Sequence, residues 1–388
     1  MLGTPAARSA SSLAHHLLTL SSRPKTGLSR KLALALGVAL AGLLLCEGLI
    51  RLRAIFLYGT PRSAITEVLL EHDDALDMPL PIKGKSLVAR RISIHINSLG
   101  FRSEEISRVK PAGTVRIACL GASTTFCAEV SSNRATWPQR LGELLQVRHP
   151  ELKIEVINAA IPGCSLAGSL ENLRQRVLPL DPDIVIVYHA HNDLKLDTRR
   201  LASARGLVKA GDEHRGGMLA ALGRYSLLAD LLQKNLSIVY AKDEAPSARL
   251  KSLPTDLTAR FVGLLGEMRD LLAERDVDLV LSTFVAKIRP DQTHEQQLAN
   301  AGLSLFYMPW LSVDQLVRGL ELYNRAIIDF GRENGLPVLS DASIPPDSKH
   351  YVDGIHFSDA GCESMAQRFC AHIEALGLIE RRAGVRER

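Results

Sequence analysis

Four short loops carry side chains that together could perform acyl transfer through a serine nucleophile. Ser123 lies in the sequence Gly-Ala-Ser-Thr-Thr, and a serine hydroxyl needs a base before it can attack a carbonyl carbon. His356 could be that base, and Asp353, three residues earlier, could accept the other imidazole N–H and fix the tautomer. We therefore expect a Ser123, His356 and Asp353 triad. Its activity should fall below about pH 6, unless neighbouring groups strongly shift the pKa of His356.

The tetrahedral intermediate of acyl transfer carries an oxyanion, and two further loops offer hydrogen-bond donors for it. We expect the backbone N–H groups of Ser123 and Gly163 and the side-chain amide of Asn192 to form this oxyanion hole. Each loop alone is weak evidence, because a serine in a turn is most often a helix cap and a lone glycine is most often a turn residue. The loops are stronger evidence together, because they occur in this order and because they follow predicted strands.

Each of these loops follows or lies near a segment with the pattern of a buried strand. Five such apolar segments alternate with amphipathic helical patterns, at Val115–Leu120, Ile154–Asn158, Asp183–Tyr188, Asp278–Phe284 and Pro337–Ser340. This alternation predicts a parallel sheet covered by helices on both faces, with ligands bound beyond the carboxyl ends of the strands. The helix after the fourth strand is predicted to begin with a capping box at Ser312 and Gln315 and to end at Gly335.

The ordered set Ser123, Gly163, Asn192 and Asp353 with His356 resembles the blocks that give the SGNH hydrolases, or GDSL-type esterases and lipases, their name. The resemblance covers about residues 114–378. It implies a flavodoxin-like three-layer α/β/α sandwich with a parallel five-stranded sheet, and a serine esterase activity that needs no metal or cofactor. Where the family usually has Asp before the serine and Gly two residues before the Asn, this chain has Ala122 and Ala190. Neither change removes a reacting group.

The first fifty residues predict a membrane anchor. A mostly Leu and Ala run begins at position 32 and continues to position 50, which as a helix is long enough to cross a bilayer. Five cationic residues and no acidic residue precede it, which keeps the amino terminus in the cytoplasm. A cleaved signal peptide and a lipoprotein signal at Cys46 are the alternatives. No small-x-small cleavage site follows the run, however, and bulky Leu45 precedes the cysteine.

We therefore expect a basic cytoplasmic segment at 1–31, a transmembrane signal anchor at 32–50 and a juxtamembrane region with short strands at 51–110. An exported esterase domain at 111–380 would then face the periplasm or the exterior. Two stretches, 194–253 and 286–311, interrupt the strand and helix alternation, and the first contains an apolar helical pattern around 219–240. Long inserts of this kind are often lids or specificity loops.

Charge and composition exclude a nucleic-acid partner. The net charge is +5, but residues 1–53 hold seven cationic residues and one acidic residue, so the rest of the chain sums to −1 and offers no basic surface for phosphates. His189 and His191 have a spacing that a metal could use, but no cluster of further ligands accompanies them. We expect no metal, and we expect His191 to line the pocket beside Asn192.

Three other features have a simple structural interpretation. Cys127 and Cys164 could form a disulfide if their loops meet in an oxidising compartment, but buried free thiols are the favoured interpretation. Trp137 is expected in the core, with stacking on a sugar as the alternative. The basic end of the chain, 381–388, is expected to be a solvated tail.

Three functions fit these observations. The first is hydrolysis of O-acyl esters of a cell-envelope glycan, a lipid or a small molecule. The second is O-acyl transfer to an extracellular polysaccharide by the same triad, with a sugar hydroxyl in place of water. The third is non-catalytic glycan binding. The intact set of five site residues argues against the third, because a binding module has no need of a base and its orienting carboxylate.

Overall fold

The computed structural model of this protein describes residues 26–61, 65–208, 222–223, 225–240, 249–340 and 344–384. Most of the predicted cytoplasmic segment and part of the first insert lie outside these residues. The chain divides into two units, Met1–Ile50 and Arg51–Arg388.

A single apolar helix, α1 (Thr26–Tyr58), begins the described chain and extends beyond the predicted anchor at both ends. Its segment Ser29–Tyr58 is long and apolar enough to cross a membrane, and it is the one such helix among the described residues. Its Leu, Ile and Val side chains are mostly exposed, which a bilayer would tolerate and water would not. A signal sequence has the same length and composition, so the helix alone does not separate these two roles.

Two small antiparallel sheets follow, as the short strands predicted for this region lead one to expect. After the one-turn helix α2 (Thr66–Leu69), β1 (Leu70–Asp73) pairs with β2 (Met78–Pro81), and β3 (Ser86–Val88) pairs with β4 (Ser93–His95). Leu69 and the isoleucines at 92, 94 and 96 form a small core with Phe126, which lies three residues after Ser123. This region therefore packs against the back of the segment that carries the proposed nucleophile.

The main sheet has the predicted five parallel strands, and their order is β6, β5, β7, β8, β9, the order of a flavodoxin-like fold. The strands are β5 (Thr114–Gly121), β6 (Lys153–Asn158), β7 (Ile184–Tyr188), β8 (Asp278–Ser282) and β9 (Val338–Leu339). All residues of β5 and β7 are buried, as strands covered on both faces must be. Strand order reverses at β5, so β6 and β7 flank it and their following loops lie together at one edge.

Helices connect and cover these strands. They are α3 (Ser123–Phe126), α4 (Trp137–Arg148), α5 (Leu166–Asn172), α6 (His191–Ala204), α7 (Leu227–Tyr240), α8 (Ala259–Ala273), α9 (His294–Tyr307), α10 (Val313–Asn334), α11 (Asp359–Ala375) and α12 (Leu378–Gly384). The predicted capping box at Ser312 and Gln315 is confirmed, and Gly335 ends α10 with a φ of 65°. The parallel sheet and its helices confirm the predicted α/β fold.

Trp137 lies in the core, as predicted, and part of the basic carboxyl end of the chain is helical. Trp137 is fully buried and its ring stacks on Phe369 with centroids 4.7 Å apart, so it joins α4 to α11 in the core. Residues 385–388 of the basic carboxyl end lie outside the described part of the chain, and the interpretation of this end as a tail is wrong for Arg381, which is exposed, and for Arg382, which is buried. Both lie on α12 and bind the two carboxylate oxygens of Asp278, at 2.7 and 2.6 Å, because α12 returns to the start of β8.

Candidate active site

The structure brings Ser123, His356 and Asp353 into one hydrogen-bonded series. His356 Nε2 lies 2.9 Å from Ser123 Oγ, and His356 Nδ1 lies 2.7 Å from Asp353 Oδ2. The other carboxylate oxygen of Asp353 accepts the backbone N–H groups of Ile355 and His356, both at 2.8 Å. The loop thus fixes the carboxylate, the carboxylate fixes the ring, and the ring presents its far nitrogen to the hydroxyl.

The charges around His356 hold its imidazole in the protonated form over a wide pH range. Burial works to lower its pKa, but the charge of Glu129 and the hydrogen bond and charge of Asp353 outweigh burial and raise the pKa of His356 to about 9. Burial likewise works to raise the pKa of Asp353, and its bond to His356 holds that pKa below its ordinary value. The loss of activity expected near pH 6 from an ordinary histidine therefore moves to higher pH.

Ser123 is the first residue of α3, two residues after the end of β5, and the turn is fixed by Gly121 and by the side chain of Arg102. Gly121 is required because a Cβ there would lie 2.1 Å from Thr125 Oγ1. Arg102, fully buried, donates from its guanidinium to the carbonyl oxygens of Phe126, at 2.9 Å, and of Cys127. These bonds hold the carboxyl end of the one-turn helix α3 in place. No role for Arg102 was predicted from the sequence.

The candidate oxyanion donors are near the same edge but are not all aimed at Ser123. Asn192 lines a small cavity with Ser123, and its Nδ2 donates to the carbonyl oxygen of Cys164 at 3.0 Å. Gly163, with a φ of 80°, is the exposed neighbour of Cys164 and is not among the described residues that line this cavity. Asn192 therefore binds the loop that holds Gly163, and this contact ties the second and third blocks together.

The cavity beside Ser123 has a volume of about 10 Å³, the space of one water molecule. Its lining residues are Ala122, Ser123, Thr124, Tyr188, His189, Ala190, His191, Asn192, Phe284 and Ile355. His191 lines the cavity as predicted. Its ring nitrogen Nε2 lies 2.9 Å from Ser304 Oγ of α9, so the second insert contributes to the surroundings of the site. Burial lowers the pKa of His191 to about 4, which keeps it neutral.

A second Ser, His and Asp set lies beneath this cavity. His189 Nε2 is 2.8 Å from Ser169 Oγ, and His189 Nδ1 is 3.5 Å from Asp193 Oδ2. All three are almost completely buried, so an ester cannot reach Ser169. His189 and His191 face different partners. Among the residues that the structure describes, no group of three or more His, Cys, Asp or Glu side chains is arranged to hold a metal ion.

All six cysteines are free thiols, and five of them are buried. Cys127 Sγ lies 3.5 Å from Cys362 Sγ of α11, whereas Cys164 lies beside Ser169. Only Cys164 was predicted as a possible partner for Cys127, because Cys362 is 235 residues away along the chain. Glu129, whose carboxylate Oε1 lies 4.0 Å from His356 Nδ1, was not predicted either.

One family of known proteins matches more than half of this chain. The model of the GDSL-like lipase/acylhydrolase family matches residues 119–363, which is more than half of the chain. No curated protein matches. Similar solved structures include an acetylxylan esterase from Geobacillus stearothermophilus, with 16% identity over 68% of this chain and 96% of that chain and a TM-score of 0.41.

Two more similar structures have comparable scores. An α/β hydrolase enzyme from the metagenome of Lake Arreo, Spain, has 14% identity over 69% of this chain and 98% of that chain, with a TM-score of 0.41. A two-domain esterase active on acetylated mannans has 15% identity over 68% of this chain and 49% of that chain, with a TM-score of 0.36. Because the family model spans both the Ser123 loop and the Asp353 to His356 loop, the chain belongs to the GDSL-like lipase/acylhydrolase family, the SGNH hydrolases.

Proposed function

We propose that this protein is a serine ester hydrolase that removes O-acyl groups from a cell-envelope glycan or lipid. The observation that carries the proposal is the unbroken series of hydrogen bonds from Ser123 Oγ through His356 to Asp353. It lies at the edge of the sheet where parallel strands end and where such folds bind ligands. Membership of an acylhydrolase family supports the same reaction class.

In the proposed reaction, Ser123 Oγ attacks the ester carbonyl carbon while its proton passes to His356 Nε2. Asp353 keeps the opposite ring nitrogen protonated and stabilises the imidazolium that forms. The tetrahedral intermediate then expels the alcohol, which takes the proton from His356, and the acyl group remains on Ser123. Water attacks this acyl-enzyme with His356 again accepting a proton, and His356 returns that proton to Ser123 Oγ as the carboxylic acid leaves.

The oxyanion of each tetrahedral intermediate needs donors, and we assign this role to the backbone N–H groups of Ser123 and Gly163 and to the amide of Asn192. An amide nitrogen carries two hydrogens. One hydrogen of Asn192 Nδ2 is engaged with the Cys164 carbonyl, and the other can serve the cavity that Asn192 lines. Asn192 would thus both hold the Gly163 loop in place and contribute a donor of its own.

We further propose that α1 anchors the protein in a membrane, with the hydrolase domain on the outer side. The exposed apolar surface of the helix and the five cations that precede residue 32 support this arrangement. Membrane-bound full-length protein with an intact amino terminus, determined by amino-terminal sequencing, would support an anchor. A truncated amino terminus would show cleavage and would overturn this part of the proposal.

Hydrolysis of an aryl acetate by the purified full-length chain in detergent tests the proposed activity. Ser123→Ala should lower the rate by up to about a million-fold, because the nucleophile is lost. Ser169→Ala is the matched control, since Ser169 also binds a histidine but is buried away from any ester. An equal loss in both variants, or full activity in Ser123→Ala, would refute the assignment.

The acceptor of the acyl group is tested in the same assay. When a sugar with free hydroxyls is added, hydrolysis should continue and released acid should account for the acyl groups lost. If acyl groups instead appear on the sugar faster than acid is released, the protein is an acyltransferase with the same nucleophile.

A further inference from the structure

One carboxylate beside His356 has no role in the reaction described above. Glu129 lies six residues after Ser123, and its Oε1 is 4.0 Å from His356 Nδ1, the nitrogen that also binds Asp353. Its other oxygen, Oε2, is buried and has no hydrogen-bond partner in the described part of the chain. A buried carboxylate oxygen without a donor is costly and calls for an explanation.

The charged groups around Glu129 explain why a carboxylate is buried at this position. Arg102 is a fully buried cation that acts on Glu129 through its charge, and Asp359 at the start of α11 acts on Arg102 in turn. Burial raises the pKa of the Glu129 carboxyl above its ordinary value, and the positive charges of His356 and Arg102 oppose this rise. A protonated His356 therefore stabilises the charged form of Glu129, just as a charged Glu129 stabilises the protonated imidazole.

Among the described residues, the charges that act most on His356 are those of Glu129 and Asp353, followed by Cys127. Cys127, on the segment after α3, is a thiol with a weak influence, and His191 from α6 is neutral in the working pH range because burial lowers its pKa. Lys195 lies one turn further along α6 and acts on His191. The two carboxylates are therefore the groups that set the charge of the imidazole.

We propose that Glu129 is a positioning residue, a second carboxylate that faces His356 Nδ1 beside Asp353 and stabilises the imidazolium formed when Ser123 attacks. This inference rests on the proposed function for its role in catalysis. The effect of Glu129 on the charge of His356 is a property of the resting protein and can be measured without any substrate.

The proposal has a distinctive consequence for the pH profile. Below the pKa of His356 the resting ring and the transition state are both protonated, so Glu129 stabilises them alike and its removal leaves kcat/KM unchanged. Above that pKa the resting ring is neutral, and only the transition state gains from Glu129. Glu129→Gln should therefore share the rising acid limb of the wild type but level off earlier and lower.

The first experiment measures the pKa of His356 in full-length protein in detergent, by NMR of labelled histidine between about pH 5 and about pH 10, with His356→Gln to assign the signal. Glu129→Gln should lower the pKa of His356 by at least about one, because an opposite charge at this distance typically moves a pKa by about one to three. Glu129→Asp keeps the charge and should recover part of the change. His350, which binds Asp347 at 2.7 Å, provides an internal reference.

The second experiment uses the same proteins in the aryl acetate assay across that pH range. The expected result for Glu129→Gln is a plateau at least about tenfold lower, with an acid limb within about twofold of the wild type, because one pKa unit corresponds to a factor of ten. An equal loss at every pH would mean that Glu129 only supports the fold, and it would overturn the proposal. An unchanged pKa of His356 would overturn it as well.

A second variant, Asp353→Asn, leaves Glu129 intact and tests the proposal even if Glu129→Gln does not fold. In Asp353→Asn the amide oxygen can still accept the two backbone N–H groups, and Glu129 is the remaining carboxylate near the ring. The pKa of His356 should then stay above the ordinary value of 6.5, and a value below it would overturn the proposal. If the wild type hydrolyses no ester at any pH, the proposed function fails, while the titrations still decide whether Glu129 acts on His356.

Discussion

Gly121 is the tightest point of the turn that carries Ser123, and its replacement tests how the site is held. A Cβ at this position would lie 2.1 Å from Thr125 Oγ1, 2.6 Å from Thr125 Cβ and 3.0 Å from the carbonyl oxygen of Tyr188. Ordinary contacts of a Cβ begin near 3.4 Å. In Gly121→Ala, α3 must therefore move away from β5 by more than about 1 Å, because Thr125 is buried and Tyr188 belongs to the neighbouring strand.

Both stability and activity should respond to this displacement. Overpacking of a buried site costs about 1–3 kcal/mol, so the free energy of unfolding should fall by that amount. A nucleophile misplaced by about 1 Å can lose about a hundredfold in rate, so kcat/KM for an aryl acetate should fall by about that factor. The larger effect is expected in activity because Ser123 is the first residue of the element that moves.

Two further variants make this test specific. Gly263→Ala places the same methyl group on α8, where nothing lies within 4 Å, and should leave activity unchanged while stabilising the helix by about 0.5–1 kcal/mol. Thr125→Gly removes the atoms that cause two of the three close contacts, so in the Gly121→Ala background it should restore part of the activity. If Gly121→Ala is folded and fully active, the turn does not position Ser123 and the reasoning is wrong.

Three other changes test separate parts of the site and of the sheet. Asn192→Ala should lower kcat by about a hundred- to a thousandfold, as measured with an aryl acetate, because one oxyanion donor is lost; a loss below threefold would exclude that role. Acetyl esters should be cleaved faster than hexanoyl esters in a chain-length series, because the cavity beside Ser123 has only about 10 Å³ and a longer acyl chain must displace more of its lining; equal rates would show that the acyl group binds elsewhere. Glu155→Ala should lower the free energy of unfolding by about 3–5 kcal/mol in urea titrations, because it leaves the buried Arg116 without its partner at 2.6 Å. Burial works to raise the pKa of Glu155, but its bonds to Lys153 and Arg116 outweigh burial and lower that pKa, so this stability is present above the ordinary pKa of 4.5 and is lost as the pH falls through the lowered value.

The strands and several helix ends could be predicted because their signals are local. The buried runs around 115–120 and 183–188 have the apolar pattern of parallel strands, and both were found within a residue or two. The capping box at Ser312 needs only the side chain three residues later. The fifth strand, predicted over 337–340, is limited to two residues because it is paired only along its side facing β8.

The supports of the site could not be predicted in the same way because they are contacts across the fold. Arg102 binds carbonyl groups 24 and 25 residues away, and no local pattern shows that a cation will be buried beneath Ser123. Glu129 meets His356 only after β5 and the last loop come together at the sheet edge. The pairing of Arg381 and Arg382 with Asp278 depends on the return of α12 to β8.

The last loop shows most clearly what the sheet adds to local chemistry. Two Asp-x-x-His segments lie six residues apart, and they form similar local structures. Asp347 Oδ1 binds His350 Nδ1 at 2.7 Å and also accepts two backbone N–H groups, whereas Asp353 makes the same contacts with its two oxygens. Local geometry therefore makes both histidines oriented bases.

The two Asp-x-x-His segments differ in their position relative to the ends of the strands. Gly354 packs against the carbonyl oxygen of Asn300, where a Cβ would lie at 2.3 Å, and this close approach seats the second loop against α9. In this position His356 lies within hydrogen-bond distance of Ser123 after the end of β5, whereas His350 remains paired with Asp347. An oriented histidine becomes a base for catalysis only where the fold supplies the hydroxyl, so Gly354→Ala should displace His356 from Ser123 and lower hydrolysis while leaving the His350 pair intact. NMR titration of both histidines in that variant would reveal the difference, and a normal rate of ester cleavage would contradict this account.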